Sequence, residues 1–287
     1  MVHIPDNWHW YGYRVNEPLS IVAAVLFALV SALLSWRMVQ GRTYYTWPIV
    51  LGALFEVVGF ILRRFSASNP TGGGIAMDLY ISSTVFLVLA PAFVAAGVYV
   101  TFGRLIRAVG PEYSRLTRAV ARTFVLLDVT SIVLQATGMS LYGSSSVSGR
   151  AGPIKALLIS GFAVQLASFA TFLAISVDYH FQARAHAERG EWEKLSCALC
   201  IVDVLLLVRS VYRCVEYSTT TLNGGTLREH EAFFYCLDSL LIFASCIIVT
   251  LWHPSRYLRP SREALGSREE KSSSSQWGDE THSRNLV

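Results

Sequence analysis

Charged residues are scarce in this sequence. Asp, Glu, Lys and Arg together make up 15% of its 287 residues, whereas about a quarter of the residues of a typical soluble domain are charged. Apolar residues make up 53%, and the mean hydropathy is positive, at +0.42. So little charge and so many apolar residues exclude an ordinary soluble domain and indicate an integral membrane protein.

Lysine and histidine are also scarce at membrane depth. The lysines are Lys155, Lys194 and Lys271, and none lies in the last apolar run, where a retinal-binding opsin needs a lysine for its Schiff base. The histidines lie in tails, loops and helix ends, so a zinc-dependent membrane hydrolase would lack its ligands. These histidines are His3, His9, His180, His186, His230, His253 and His282.

The sequence has no G-x-x-x-x-G-K-S/T segment, so an ATP-driven pump would need a separate motor protein. The net charge of +4 comes mostly from the loops on one side and the tail, and gives no reason to expect nucleic acid as a partner. We therefore expect a protein that is not an enzyme and has no catalytic residues, no cofactor and no metal site.

Cysteines are few, and all fall in or beside the last two apolar runs. Cys197 and Cys200 have C-x-x-C spacing, but without a second pair or a nearby histidine they are better interpreted as small apolar packing residues. Cys214 and Cys236 lie toward the same ends of neighbouring predicted helices, so a disulfide between them stays open as an alternative. The fifth is Cys246.

Seven long apolar runs interrupt the chain, each of about the 20 residues that a membrane-spanning helix needs. They are continuous and lack the alternation of a barrel strand. We therefore predict an all-α polytopic membrane protein with seven transmembrane helices. The predicted spans are 18–37, 44–62, 75–100, 119–142, 152–177, 196–217 and 232–252.

The predicted membrane domain, 18–252, is flanked by two short segments. Residues 1–17 have no apolar core, so we expect an extracellular N-terminal segment and a first helix that serves as the targeting signal. Residues 253–287 are rich in serine and charge, so we expect a disordered cytosolic tail.

Lys and Arg are unevenly divided between the two sets of connections. One set holds 6 and the other holds 15, and cytosolic connections of membrane proteins carry the excess. We therefore expect the N-terminus outside and the C-terminus in the cytosol. The first set is the N-terminal segment with 63–74, 143–155 and 218–231; the second is 37–43, 101–118, 179–195 and 253–287.

Several ionisable residues lie inside the predicted spans. Arg209, Arg213 and Glu216 are spaced by four and three residues, which places them on one face of a helix. A charged side chain that faces lipid costs at least a few kcal/mol, so all of these residues should face the bundle interior. The others are Glu56, Asp78, Asp128, Asp203 and Asp238.

Polar residues also recur at helical spacing, which predicts inward-facing stripes in a water-accessible cavity. The stripes are Gly52, Glu56, Gly59 and Arg63; Asp128, Ser131 and Gln135; and Gly161, Gln165 and Ser168. Six acids face only two arginines in the spans, so four acids must be protonated, reach water or the interfacial Arg63 and Arg64, or await a cationic ligand. We expect Arg209 and Arg213 to pair with acids such as Glu56 and Asp238.

Six motifs, in this order and on these helices, resemble those of the fungal lipid-translocating exporter family, the resistance-to-aminocholesterol proteins. The resemblance covers roughly residues 10–258. The motifs are EVVGFILR (56–63), LAPAFVAAGVYVTFGRL (89–105), DVTSIVLQATG (128–138), GFAVQLASFATF (161–172), RSVYRCVEY (209–217) and EAFFYCLD (231–238).

The resemblance implies a seven-span protein of fungal membranes, usually the plasma membrane, linked to export or flipping of sphingoid long-chain bases and to resistance against toxic amphipaths. Membrane lipids would be its partners, and its oligomeric state stays open. The matching motif residues, together with Asp78 from its depth, form the candidate substrate-binding or translocation set. This set is Glu56, Asp78, Asp128, Gln135, Gln165, Arg209, Arg213, Glu216, Glu231 and Asp238, and Arg63 matches the same motifs.

A sphingoid base carries an ammonium group beside a hydroxyl-bearing carbon and one long alkyl chain. Its site needs a carboxylate near the head-group level, and Asp238, beside Tyr235 and facing the Arg213 and Glu216 stripe, fits best. The alternative function is a seven-helix receptor or stress sensor, in which the same polar cluster acts as a switch and no lipid moves.

We predict that a tag on the N-terminus is accessible on intact cells and that a tag on the C-terminus is accessible only after permeabilisation. The reason is the excess of 15 over 6 basic residues on the C-terminal side. Antibody labelling of both tags measures this. Labelling of a C-terminal tag on intact cells would show the opposite orientation.

Overall fold

The computed structural model describes residues 11, 15–68, 74–109, 114–143, 151–186, 192–219 and 231–257. Most of the predicted N-terminal segment lies outside these residues, and so does the predicted tail from residue 258 onward. The statements below concern the described part of the chain.

The described residues form seven helical spans that are long and apolar enough to cross a membrane, and they contain no β-strand. The predicted all-α, seven-span fold is therefore confirmed, and the protein is an integral, multi-pass membrane protein. The helices are α1 (Glu17–Gln40), α2 (Trp47–Ala67), α3 (Gly74–Val109), α4 (Ser114–Gly143), α5 (Ala151–His186), α6 (Trp192–Thr219), α7 (Glu231–Phe234) and α8 (Leu240–Leu251).

The seventh span, Glu231–Arg256, is not a uniform helix. A π-helical turn, Tyr235–Ser239, joins α7 to α8, and the backbone N–H of Leu240 bonds to the carbonyl of Tyr235, five residues earlier. Such turns are rare, and they are frequently found at functional sites.

Two helices extend well beyond their predicted ends. α3 runs to Val109 and α5 to His186, nine residues past each end that hydropathy predicted. The added part of α3 carries Arg104 and Arg107, both exposed, and the Arg107 Nε donates to the Gly103 carbonyl at 3.0 Å. Hydropathy marks where the apolar run ends, whereas backbone hydrogen bonds continue a helix into water, so the boundaries differ.

A side-chain cap precedes α1, and a proline lies in the first turn of both α1 and α2. The Asn16 side chain accepts a hydrogen bond from the backbone N–H of Leu19, and Pro18 lies in the first turn of α1. Pro48 occupies the same place in α2. The first N–H groups of a helix have no intrahelical partner, so a side-chain acceptor and a residue without N–H both suit these positions.

Small residues let α2 and α3 approach closely. A Cβ added to Gly52 would lie 2.7 Å from the backbone oxygen of Ala90, and one added to Gly97 would lie 2.2 Å from a side-chain carbon of Ile49. Glycines at helix contacts are a common means of close packing inside membranes. This contact fixes α2, and with it Glu56, against α3.

The bundle has an apolar outer surface and a mainly apolar core that also holds buried polar and charged side chains. Leu29 on α1 is 62% exposed, whereas Glu56 on α2 is 0% exposed, the reverse of a soluble protein. All three predicted stripes are buried, as the cost of polar groups in lipid requires.

The first residues of the predicted tail are folded. Pro254–Arg256 form a 3-10 helix, His253 is fully buried, and Ser255 packs against Gly41 at the end of α1. The ordered domain therefore extends to Tyr257, the last described residue.

We predict that Gly52→Ala destabilises the protein by about 1–3 kcal/mol, because the new methyl group meets a backbone oxygen that cannot move aside. The matched control is Gly152→Ala, where a Cβ meets nothing within 4 Å. Thermal unfolding of both variants in detergent measures the difference. Equal midpoints would show that α2 and α3 can separate without cost.

Candidate functional site

Asp238 lies at the centre of the buried charges. The Arg209 Nε lies 2.7 Å from its Oδ1, the Arg213 Nε donates to the same oxygen at 2.9 Å, and the Arg213 Nη2 donates to its Oδ2. Asp238 is 0% exposed and Arg209 is 1% exposed. The expected pairing of both arginines with Asp238 is therefore present, and it ties α6 to the seventh span.

Glu216 completes this group, which we call the Asp238 cluster: Arg209, Arg213, Glu216 and Asp238. The Arg213 Nη1 donates to the Glu216 Oε2 at 3.1 Å, a contact between residues one turn apart on α6. Two arginines and two carboxylates balance, so the Asp238 cluster is neutral when all four are ionised.

A proline on α3 leaves a backbone carbonyl free to accept a hydrogen bond from Arg209. Pro91 lies inside α3 and has no N–H, so the carbonyl of Leu87, four residues earlier, has no normal helical donor. The Arg209 Nη2 donates to this carbonyl at 3.0 Å. The arginine thereby satisfies a buried oxygen that the proline leaves free, and it connects α3 to the Asp238 cluster.

Glu56 lies beside the Asp238 cluster as an unpaired acid. Its side chain is 0% exposed, and neither oxygen has a hydrogen-bond partner among the described residues. It interacts electrostatically with Asp238 and with both arginines. The expected ion pair between Glu56 and an arginine is absent because Asp238, Glu216 and the Leu87 carbonyl occupy the guanidinium donors.

A second charged layer, which we call the Arg63 layer, lies near the first residues of α1 and α7 and near the end of α2. The Arg63 Nη2 is 3.6 Å from the Glu231 Oε1, and the Glu231 Oε2 accepts a hydrogen bond from the Asn16 backbone at 2.9 Å. The Arg63 guanidinium packs over the rings of Tyr11, at 4.6 Å, and Phe234, at 4.4 Å. Glu231 precedes Asp238 by seven residues, so this layer lies nearer the start of the seventh span than the Asp238 cluster does.

Gln135 and Gln165 form a separate contact between α4 and α5. The Gln135 Nε2 donates to the Gln165 Oε1 at 3.0 Å and to the Ser131 Oγ at 2.7 Å. Gln135 also borders a mainly apolar crevice of about 190 Å³ between α3 and α4. Its other lining residues are Val85, Val88, Leu89, Ile132, Ala136 and Met139.

The ten candidates therefore form several groups. Arg209, Arg213, Glu216 and Asp238 meet in one cluster beside Glu56; Glu231 lies in the Arg63 layer; the two glutamines pair with each other; and Asp128 lies in another buried group. These placements follow from the contacts above.

The expectation that Asp78 faces the interior is wrong. Asp78 is exposed, because it lies in the second turn of α3, close to the start of that helix at Gly74. An acid this near a helix end can reach water beside the membrane and needs no buried partner.

Two parts of the site were not predicted from the residue patterns. The Leu87 carbonyl is one, and a proline inside an apolar run is the signal for a free carbonyl four residues earlier. Tyr99 is the other; it is 1% exposed and interacts with Asp128, but nothing in the spacing distinguishes it from an ordinary core aromatic.

The cysteines are free. Cys214 is partly buried and Cys236 is exposed, so the alternative of a disulfide between them is not realised in the structure. Cys197, for which a packing role was expected together with Cys200, is exposed, Cys200 is partly buried, and Cys246 is buried.

We predict that Arg213→Leu destabilises the protein by about 3–5 kcal/mol, because it leaves buried carboxylates without their cation. The matched control is Arg64→Leu, which removes an ion pair with Glu17 whose side chains are 32% and 40% exposed and should cost at most about 1 kcal/mol. Membrane-fraction yield and thermal stability measure both. Wild-type stability of Arg213→Leu would show that Arg213 is not an essential partner.

Relatives of this chain are found among curated fungal proteins. It is 31% identical over 216 residues to "Protein RTA1" of Saccharomyces cerevisiae, covering 72% of this chain and 65% of that protein. It is 25% identical over 285 residues to the "Sphingoid long-chain base transporter RSB1" of the same species, covering 85% of this chain and 73% of the relative. "Protein RTM1" is 30% identical over 209 residues, covering 70% and 64%.

The chain thus spans about two thirds of the length of these relatives. No solved structure gives a significant match. The model of the family described as "RTA1 like protein" matches residues 49–261, which include α2 except its first two residues, all of α3 to α8 and every buried charge of the site. The chain belongs to the RTA1-like family.

Proposed function

We propose that this protein is a transporter that moves sphingoid long-chain bases or similar cationic amphipaths across the membrane, and that it is not an enzyme. The observation that carries the proposal is Glu56, a fully buried carboxyl group that lies beside a neutral charge cluster and has no hydrogen-bond partner in the described part of the chain. The name of one relative, a sphingoid long-chain base transporter, supports this class of substrate. We also propose the plasma membrane as its location.

The ammonium group of a sphingoid base suits a buried carboxyl group that has no paired cation. An ammonium group in an apolar environment needs a carboxylate, and such a charge-assisted contact is worth about 1.5–3 kcal/mol. Because the Asp238 cluster is neutral by itself, an ionised Glu56 adds one uncompensated negative charge. An incoming ammonium would neutralise it.

Asp238 was expected to hold the amine, and its contacts argue against that role. Both of its oxygens accept hydrogen bonds from Arg213, and Arg209 adds a further ion pair. An ammonium would have to displace a guanidinium. Asp238→Asn would also leave two arginines without their shared partner, so loss of function in that variant would not separate binding from folding.

Glu56 is enclosed in this conformation. The substrate amine would therefore reach it only after the helices around it separate, as in carriers whose site opens to one side at a time. The lipid-facing surface of the bundle is apolar, with exposed side chains such as Leu29 and Ile61. The alkyl chain of the substrate can remain in lipid while its head group crosses.

We predict that Glu56→Gln keeps the fold but weakens substrate binding by about 1.5–3 kcal/mol, roughly tenfold to hundredfold, because it removes the charge and retains the shape. The measurement is flux of a labelled sphingoid base in vesicles containing the purified protein, with substrate binding measured in parallel. The control is Asp178→Asn, which changes an exposed acid that accepts a hydrogen bond from Gln182, one turn further along α5.

The same assay separates the transporter from the sensor. Wild-type flux above that of empty vesicles, reduced in Glu56→Gln and unchanged in Asp178→Asn, supports the proposal. Absence of flux, together with tight binding of the sphingoid base, would favour a receptor instead. Equal binding and flux by Glu56→Gln and wild type would remove Glu56 from the site.

A further inference from the structure

A second group of buried polar side chains lies apart from the Asp238 cluster. It consists of Tyr99 from α3, Asp128 from α4, Ser168 from α5 and Asp203 from α6, each at most 3% exposed. Asp203 precedes Arg209 by six residues on α6, about 9 Å along the helix axis. The group therefore lies toward the end of α6 that the charge distribution predicts to face the cytosol.

The two acids of this group have no cation beside them. Asp128 and Asp203 interact electrostatically with each other, and neither carboxyl group has a hydrogen-bond partner within 3.5 Å among the described residues. The titratable groups that interact with the pair are Tyr99 from α3 and Cys200 from α6, while α5 contributes the Ser168 hydroxyl. No lysine, arginine or histidine is among these described groups.

Aromatic rings pack around Tyr99, which interacts with Asp128. The Tyr99 ring lies 4.4 Å from that of Phe172 and 5.7 Å from that of Phe124, measured between ring centroids. Two negative charges side by side in such an apolar environment repel each other and lose their hydration, and a buried acid in this position takes up a proton instead. Protonation of one of the two carboxyl groups would remove this repulsion.

Like Glu56, the group is enclosed in this conformation, so only a small ligand can exchange with it while the helices stay together. The exposed fraction is 0% for Asp203 and 3% for Asp128, and the hydroxyls of Tyr99 and Ser168, which interact with Asp128, are also buried. A lipid ammonium group would need an open path and a cavity. A proton needs neither, because it only converts a carboxylate into a carboxylic acid.

We propose that the pair of Asp128 and Asp203 holds one exchangeable proton, carried by one of the two carboxyl groups at a time, and forms a proton site in the half of the bundle predicted to face the cytosol. The proton comes from water and returns to water, and only an O–H bond forms or breaks. Its role in transport rests on the proposed function: release of this proton toward one side would couple lipid movement to a pH gradient. Asp203, absent from the site set that the sequence predicts, becomes part of the mechanism.

The direct test is infrared spectroscopy of the purified protein, which needs no transport activity. The difference spectrum between wild type and the Asp128→Asn, Asp203→Asn double variant should contain the carbonyl band of a protonated carboxyl group near neutral pH. This band should shift on transfer to heavy water. Subtraction removes any contribution from Glu56, which both proteins contain.

The control difference spectrum, between wild type and Asp178→Asn, should lack this band, because Asp178 is exposed. Absence of the band from the double-variant difference would show that both buried acids are ionised, and a band that does not shift in heavy water would show a trapped proton. Either result overturns the proposal. If the double variant does not fold, Asp203→Asn alone must change the same band.

Flux of the sphingoid base in vesicles then tests whether lipid movement is coupled to a pH gradient. Wild-type flux of the labelled sphingoid base should respond to an imposed pH gradient, and the double variant should lose that response while Asp178→Asn keeps it. Wild-type flux that is equal with and without the gradient would overturn the coupling. If wild type moves no sphingoid base at all, the proposed function fails, and the infrared result still decides the proton site.

Discussion

The contact of two buried guanidiniums with the single carboxylate of Asp238 is the interaction on which the rest of the bundle depends. Arg209 and Arg213 come from α6, Asp238 comes from the seventh span, and the Leu87 carbonyl brings in α3. None of these charges could remain inside a membrane alone. Together with Glu216 they neutralise one another, which allows three helices to meet around a polar centre and leaves Glu56 beside that centre without a paired cation.

The buried acids therefore fall into two kinds. Asp238 and Glu216 are held by arginines, so their charge is fixed and they serve as structural ties. Among the described residues, Glu56, Asp128 and Asp203 have no arginine or lysine within hydrogen-bonding distance, so a proton or a cation can change their charge without breaking an ion pair. Functional change in the bundle is expected at the second kind, because only there can charge vary while the helices stay joined.

The sequence predicted the spans, the polar stripes and the pairing of arginine with Asp238, because charge at membrane depth leaves few arrangements. It did not predict which acids stay unpaired, since that depends on how many donors each guanidinium has left after binding Asp238. Asp78 was misplaced because depth was inferred from hydropathy, while its helix starts only four residues earlier. The role of the Leu87 carbonyl depends on Pro91 and on the contact of Arg209 with α3. The periodicity of residues along a single helix does not describe contacts between helices.

In the π turn of the seventh span, Tyr235–Ser239, the count of residues matters as much as their type. A π turn holds one residue more than an α turn, so α7 is rotated by about 100° from the register that α8 would give it. Loss of one residue from this turn would leave a continuous, equally apolar helix, yet it would direct Glu231 away from Arg63. A deletion that every hydropathy measure would treat as silent should therefore be as disruptive as the loss of a charge.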